Sequence, residues 1–214
     1  MVLDYIKGIK VDINNLPIDN LQALEYLRDG IFHLAGIIET KEESHKKESE
    51  VGVNGFVPGK STVFYWSNSN PGHNLILNQF NWFAVSCVNY IRVVGLVDIM
   101  NKNGWKSADI KDHIKEIKDH CDQYISEVAS ELVWWRNKIS AHPSATDPRK
   151  KDNLSLLEFS LMNQLTFESP HYFVGSLNWS NGEGSSDSKR WSLVKVFKEK
   201  LIPRYWPDVR VDKA

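Results

Sequence analysis

Apolar positions along the chain fall into three helical stripes. In the longest, Ile110, Ile114, Ile117, Cys121, Tyr124, Val128, Leu132, Trp135 and Ile139 recur at steps of three and four. That spacing keeps one face of a helix apolar and predicts a single long helix with a buried seam. Ser107 is its candidate cap. Pro143 disfavours the α conformation at His142, so the helix is expected to stop there. A second stripe, Leu21, Leu24, Leu27, Ile31, Leu34 and Ile38, predicts a helix over about 20–42 with Asp19 as cap. Gly30 and Gly36 lower its propensity and point to a kink or a close approach. The third stretch, residues 73–102, is the most apolar and predicts the central helix of a bundle. Asn103-Gly104 ends it, because Gly suits the left-handed position after a helix.

The segments between and after these helices have other textures. Residues 1–17 read as a short leader ending at Leu16-Pro17. Residues 39–50, ETKEESHKKESE, have no apolar side chain and read as an exposed helix end or a mobile loop. Residues 51–72 are rich in Gly, Pro, Ser and Asn, interrupted by Val63-Phe64-Tyr65-Trp66, a short strand or a plug against the bundle. The sharper alternative for that aromatic run is a platform on which bases stack. Residues 143–153 form a polar turn, and Leu154–Met162 fits helix or strand. Gln164–Glu168 and His171–Trp179 read as two strands around Ser169-Pro170. A Gly/Ser loop over 181–188 leads to an amphipathic helix, Trp191–Leu201, which Pro203 is expected to stop. The expected fold is mainly α: a single domain over 1–214, with a bundle of four to five helices over about 18–163. A small C-terminal β-hairpin and final helix form an appendage over about 164–207.

From Asn74 to Ile91 there is no charged residue, and the length would cross a bilayer. Asn78, Gln79, Asn81, Ser86, Asn89 and Arg92 argue against a span, since each polar group would need a partner in lipid. Asn78, Asn81, Asn89 and Arg92 fall within about 60° of one line on that helix. The line is either its wetter side or a wall of a cleft. Cys87 and Cys121 both lie in apolar helical patterns, as expected of reduced core thiols in a cytoplasmic protein. The N-terminus lacks the apolar run of a signal peptide.

A net charge of −1 excludes a protein held to nucleic acid by bulk charge, so any RNA contact must be local. One basic segment is local in that sense: Arg136, Lys138, Arg149, Lys150 and Lys151 stand against Asp147 alone. A second runs over 189–204, with Lys189, Arg190, Lys195, Lys198, Lys200 and Arg204 against Glu199.

The first basic segment contains the candidate chemistry, Arg136-Asn137-Lys138-Ile139-Ser140-Ala141-His142-Pro143. At about 100° per residue, Arg136 and His142 lie on opposite edges of the stripe, their Cα atoms roughly 9 Å apart. The helix dipole favours a protonated His at a C-terminus. An imidazole beside a fixed cation suits proton transfer at a phosphate. The competing reading is a snorkelling Arg and a capping His.

Arg136, Asn137 and His142, with five residues between Arg and His at the end of a long helix, resemble the motif of the HEPN superfamily. The resemblance covers about residues 72–147. Arg28 to His33 also fits Arg, four residues, His, but Gly30 interrupts it and no long stripe leads into it. The resemblance implies a helical bundle that dimerises with its motifs facing each other. In catalytic members it implies a metal-independent endoribonuclease, including toxin and defence types. Other members are non-catalytic binding or scaffold domains. Carried onto this chain, it makes Arg136, His142 and Asn137 the catalytic candidates. Lys138, Ser140, Asn89, Arg92, Arg149 and Lys150 are the candidate substrate contacts. The expected partners are RNA, a second copy of the chain and, alternatively, a protein such as an antitoxin. No cofactor or metal is expected. His113 and His120 sit ~10 Å apart along a helix axis, too far for a ligand pair, and read as ordinary solvent-facing residues.

Overall fold

The structure, a computed structural model of the chain, describes residues 18–64, 71–135, 163–176 and 190–209. Over these residues the protein is mainly helical, with a small antiparallel sheet. Three long helices, α1 (Ile18–Val51), α2 (Pro71–Asn103) and α3 (Ile114–Trp135), pack with α2 between the other two. The sheet has the order β1 (Thr62–Phe64), β2 (Asn163–Glu168), β3 (His171–Ser176) and β4 (Arg190–Trp191). The C-terminal helical segment joins α4 (Leu193–Val196), a π-helical turn (Phe197–Leu201) and α5 (Ile202–Tyr205). The expected leader, Tyr65, Trp66, the turn after Pro143, the element at 154–162 and the loop at 181–188 lie outside the described residues.

The central helix is where the sequence puts it. Phe80, Phe83, Ala84, Cys87, Val88, Ile91, Val94 and Val97 of α2 are fully buried. Among the described residues α2 is the one helix long and apolar enough to cross a membrane, from Leu75 to Asn103. The core uses that apolar character, since 61 % of its most apolar stretch is buried inside the protein. Gly104, at φ +67°, ends α2 as the Asn-Gly pair predicts, and the Trp105 amide donates back to the Met100 carbonyl at 2.9 Å.

α1 departs from expectation by running through the charged segment to Val51. Its stripe of Leu24, Ile31, Ala35 and Ile38 does not end at residue 38. Glu42 and Ser49, both buried, continue the same line. The helix stops at Gly52, at φ +73°, whose amide donates to the Glu48 carbonyl at 2.9 Å. Gly30 and Gly36 mark no close approach, because a Cβ at either would meet nothing within 4 Å.

α3 is shorter than the stripe suggests. Ser107–Lys111 is a separate 3₁₀ turn, and α3 begins only at Ile114. Ser107 is not the cap. The Lys106 amide donates to the Asp109 carboxylate at 2.7 Å, which fixes the turn and breaks the expected continuous helix. In consequence Ile114 falls out of the seam and stands exposed. Ile117, Cys121, Tyr124, Val128 and Leu132 are buried as expected. Ala129 interrupts the helical dihedrals at φ −158°, ψ 73°.

The predicted hairpin is present, with Leu165 opposite Val174 and Phe167 opposite Tyr172. It is not an appendage. β1, from the Gly/Pro-rich segment, pairs with β2, placing Val63 opposite Thr166. Leu165, Phe167, Tyr172, Leu193, Phe197 and Trp206 join the same apolar core as α1 and α2. Phe64 is buried there and stacks on His45, so it is no base-stacking platform. Trp191 pairs in β4 with Val174 instead of opening the last helix. Pro203 does not stop that helix either. It follows the π turn, where the widened backbone register makes room for a residue that lacks an N–H.

Candidate functional site

Arg136 follows directly on Trp135, the last described residue of α3. Arg136, Asn137, Lys138, Ser140, His142, Arg149 and Lys150 lie outside the described residues. What the structure describes is the helix that leads to them and the surface of α2 beside it.

α2 and α3 are antiparallel. Asp98 meets His120, its Oδ2 lying 3.1 Å from Nε2, and a Cβ on Gly95 would touch the Tyr124 ring at 3.4 Å. Arg92 donates through Nη2 to Asp122 Oδ1 at 3.1 Å. Asp122 lies well before Trp135 on α3, on the other side of the break at Ala129. Arg92 is therefore paired at the middle of the α2–α3 contact and is not gathered to the end of α3. Asn89, half-buried, lies one turn further along the open face of α2. The four polar residues of that line behave as its wetter side, with Asn78 exposed and Asn81, Asn89 and Arg92 half-buried.

Between α2 and α3 the side chains leave an open groove of about 390 Å³. Val93, Leu96, Ile117 and Cys121 form its apolar floor, and Arg92 and Asp122 its polar rim. Burial pushes the Cys121 thiol up to about 11, with Arg92 working against the shift and Asp122 with it. The thiol stays protonated at neutral pH and is a poor nucleophile. Cys87 is wholly buried, and desolvation raises its thiol further. Neither cysteine is in a disulfide. His120 and His113 are not solvent-facing as expected. His120 is half-buried against Asp98, and His113 stacks on Trp105 with centroids 4.0 Å apart. Among the described residues no three His, Cys, Asp or Glu side chains gather to hold a metal ion.

The second basic segment is largely committed to contacts within the fold. Lys198 reaches Glu39 on α1 at 3.0 Å, and Lys195 reaches Glu199 at 3.7 Å. The Arg204 guanidinium sits over the Tyr124 ring, 5.2 Å from its centroid. The Lys198 and Arg204 contacts tie the last helix to α1 and α3, whereas the Lys195–Glu199 pair lies within that segment.

Sequence reasoning missed a polar cluster where α1 meets the hairpin. Among the described residues β4 pairs with β3 only at Val174 and Gly175, which leaves the Tyr172 amide without a strand partner there. Glu42 supplies one, its Oε1 accepting from Tyr172 N–H at 2.8 Å while Oε2 lies 3.2 Å from His171 Nδ1. Burial raises the Glu42 carboxyl, and the Tyr172 amide and His171 offset only part of that. The Tyr172 hydroxyl meets His45 Nδ1. Burial and the charges of Glu42 and Glu48 keep that phenol protonated. The other ring nitrogen of His45, Nε2, lies 3.9 Å from Glu48 Oε2. The signal was present as the register of Glu42, His45 and Ser49 with Ile38, hidden by the charges around it.

These hydrogen bonds make the cluster a latch between α1 and β3, whereas the α2–α3 face is the surface on which the candidate motif's helix is set. No protein-family model, no curated protein and no solved structure matches this chain.

Proposed function

We propose that the protein is a HEPN-like, metal-independent endoribonuclease of the toxin or defence type. One observation carries the reading: Arg136-Asn137 and His142-Pro143 follow at once on α3, whose seam from Ile117 to Leu132 is set in the protein against α2. α3 is packed along this seam on both sides of the break at Ala129, and a packed element is the kind of base from which a short catalytic motif is held in register.

On this reading the ribose 2′-oxygen attacks the adjacent phosphorus and the bond to the 5′-oxygen breaks, leaving a 2′,3′-cyclic phosphate. His142 moves the proton of the 2′-hydroxyl or of the leaving oxygen. Arg136 neutralises charge on the phosphate in flight, and Asn137 orients the groups nearby. Lys138, Ser140, Arg149 and Lys150 contact the RNA backbone, and Asn89 and Arg92 line the approach along α2. The substrate supplies the nucleophile, so the step needs no metal. The working form is a cytoplasmic homodimer.

A second reading makes the protein a non-catalytic HEPN-like module with a protein partner. It is favoured by the net charge of −1 and by Trp82, which is 66 % exposed on α2. One experiment separates them: a structured RNA pool is incubated with purified protein in EDTA, beside His142→Ala and Arg136→Ala. The nuclease reading expects cleavage that leaves 2′,3′-cyclic ends and falls at least about 100-fold in either variant. No cleavage by folded wild-type protein, or equal cleavage by all three, overturns it in favour of the binding module.

A further inference from the structure

From Val51 to Val97 the chain has no Asp or Glu, although it carries 27 in all. Most of α2 lies in that stretch, and on its open face stands Trp82, 66 % exposed. One turn away on either side are amides at Asn78 and Gln79, a hydroxyl at Ser86 and the half-buried Val85. Leu75, two turns back, is the other large apolar side chain exposed on α2 among the described residues. A broad ring set among amides and a hydroxyl differs from the anchor of a protein interface, whose centre is apolar. α3 runs antiparallel to α2, so beyond the contacts of Asp98 with His120 and Gly95 with Tyr124 it heads toward the half of α2 that carries Trp82. Leu132, past the break at Ala129, is still in the core.

We infer that Trp82 is the platform on which an unpaired base of the RNA stacks, with Asn78 bonding the edge of that base. The inference takes its ligand from the reading above and narrows it to a class: single-stranded RNA, not a duplex. Every base has a π face, so one exposed indole accepts any base that is unstacked. In a duplex those faces are covered by neighbouring bases, and the deep, narrow groove keeps side chains from reading the edges. Asn78 lies four residues before Trp82, ~6 Å along the axis and on the same face. Helical side chains lean toward the N-terminus, which carries the indole toward the turn that holds Asn78. The Asn78 amide both donates and accepts, as a base edge does. A phosphate chain along this face meets no carboxylate on α2 before Asp98, and Asp122 on α3 is already paired with Arg92. The platform uses neither Arg136 nor His142, so binding and cleavage stand or fall by different measurements.

The full chain is titrated at low salt into a short labelled RNA of mixed sequence, 2′-O-methylated so that it cannot be cleaved, and binding is read by fluorescence anisotropy. Wild-type protein is expected to bind the single strand more tightly than the same sequence in a duplex. Trp82→Ala should weaken binding at least about 5-fold, the loss of one stacked base. Trp82→Phe keeps a ring and should retain most of the affinity, and Asn78→Ala should lose less than Trp82→Ala. Far-UV circular dichroism of the variants should match wild type, because both side chains are exposed. With cleavable RNA, Trp82→Ala should raise KM more than it lowers kcat. Trp82-dependent binding by a protein that cleaves nothing would overturn the nuclease and leave the platform standing. Cleavage that needs His142 and is indifferent to Trp82 would do the reverse. No binding of either RNA, a preference for the duplex, or equal binding by wild type and Trp82→Ala overturns the inference and leaves Trp82 to a protein partner.

Discussion

The two halves of α1 present the same geometric stripe and fill it with opposite chemistry. From Leu24 to Ile38 the buried positions are apolar, and Phe32 beside them packs edge-on to Phe197 and Trp206. From Glu42 to Ser49 the buried and half-buried positions are two carboxyls, an imidazole and a hydroxyl. The difference lies in what each half meets. The first half faces apolar side chains of α2 and the C-terminal segment. The second half faces a strand whose amide at Tyr172 lacks a backbone partner, and a buried amide needs an acceptor. Helix geometry selects which residues turn inward, and the neighbour determines which chemistry is stable there.

Substitutions in the two halves should therefore differ in size and in kind. Ile31→Ala removes a fully buried side chain and is expected to cost ~2–5 kcal/mol in urea unfolding. Glu42→Ala removes an acceptor and should cost ~1–3 kcal/mol, chiefly by leaving the Tyr172 amide unsatisfied. Amide hydrogen exchange gives the sharper contrast. Exchange at Tyr172 should accelerate in Glu42→Ala beyond what its loss of global stability explains, and in Ile31→Ala only by that loss. If Glu42→Ala leaves both the stability and the Tyr172 exchange rate unchanged, the latch contributes nothing and the contrast fails.

The same contrast explains how much of the molecule was legible. α2 was legible because its uncharged run from Asn74 to Ile91 leaves few alternatives to burial. The hairpin was legible because alternation flanks Ser169-Pro170, and over the described residues both strands lie where the sequence puts them. The second half of α1 was not, because Glu42 is inward-facing only by virtue of Tyr172, 130 positions away. The pairing of β1 with β2 has the same cause: Val63-Phe64 reads as a strand, but nothing local names Thr166 and Leu165 as partners. The break before Ile114 was hidden because the stripe continues in sequence across a turn fixed by Asp109. Of the candidate site, Asn89 and Arg92 were legible as the wetter line of α2, while the pairing of Arg92 with Asp122 depends on the next helix.

The latch also has a pH signature that the apolar half lacks. Burial holds the Glu42 carboxyl above its ordinary value of 4.5, so the folded protein binds that proton more tightly than the unfolded chain. The stability from this group is therefore full below 4.5 and declines as pH rises through the raised value. Glu42→Gln cannot ionise. Its stability relative to wild type should rise as pH increases from 4.5, whereas the difference between Ile31→Ala and wild type should be flat over the same range. A Glu42→Gln difference that is also flat, measured by urea midpoints across pH, would show that the carboxyl is not desolvated as the structure has it.

The smallest expected effect tests whether the first half of α1 is as plain a helix as its packing suggests. Gly36 sits between two buried positions, Ala35 and Ile38, yet it is itself exposed, and a Cβ there meets nothing within 4 Å. A glycine in a helix interior has more freedom to lose on folding than alanine and gives nothing back in packing. Gly36→Ala should therefore stabilise the protein by roughly 0.5–1 kcal/mol, read as a higher urea midpoint at an unchanged slope. The Thr40 hydroxyl, which donates to the Gly36 carbonyl at 2.8 Å, should not be disturbed, because that bond runs on the backbone side. A destabilised variant would mean that Gly36 meets another surface in solution. The shallow groove it shares with Phe32, His33 and Thr40 would then be a contact and not a bare stretch of helix.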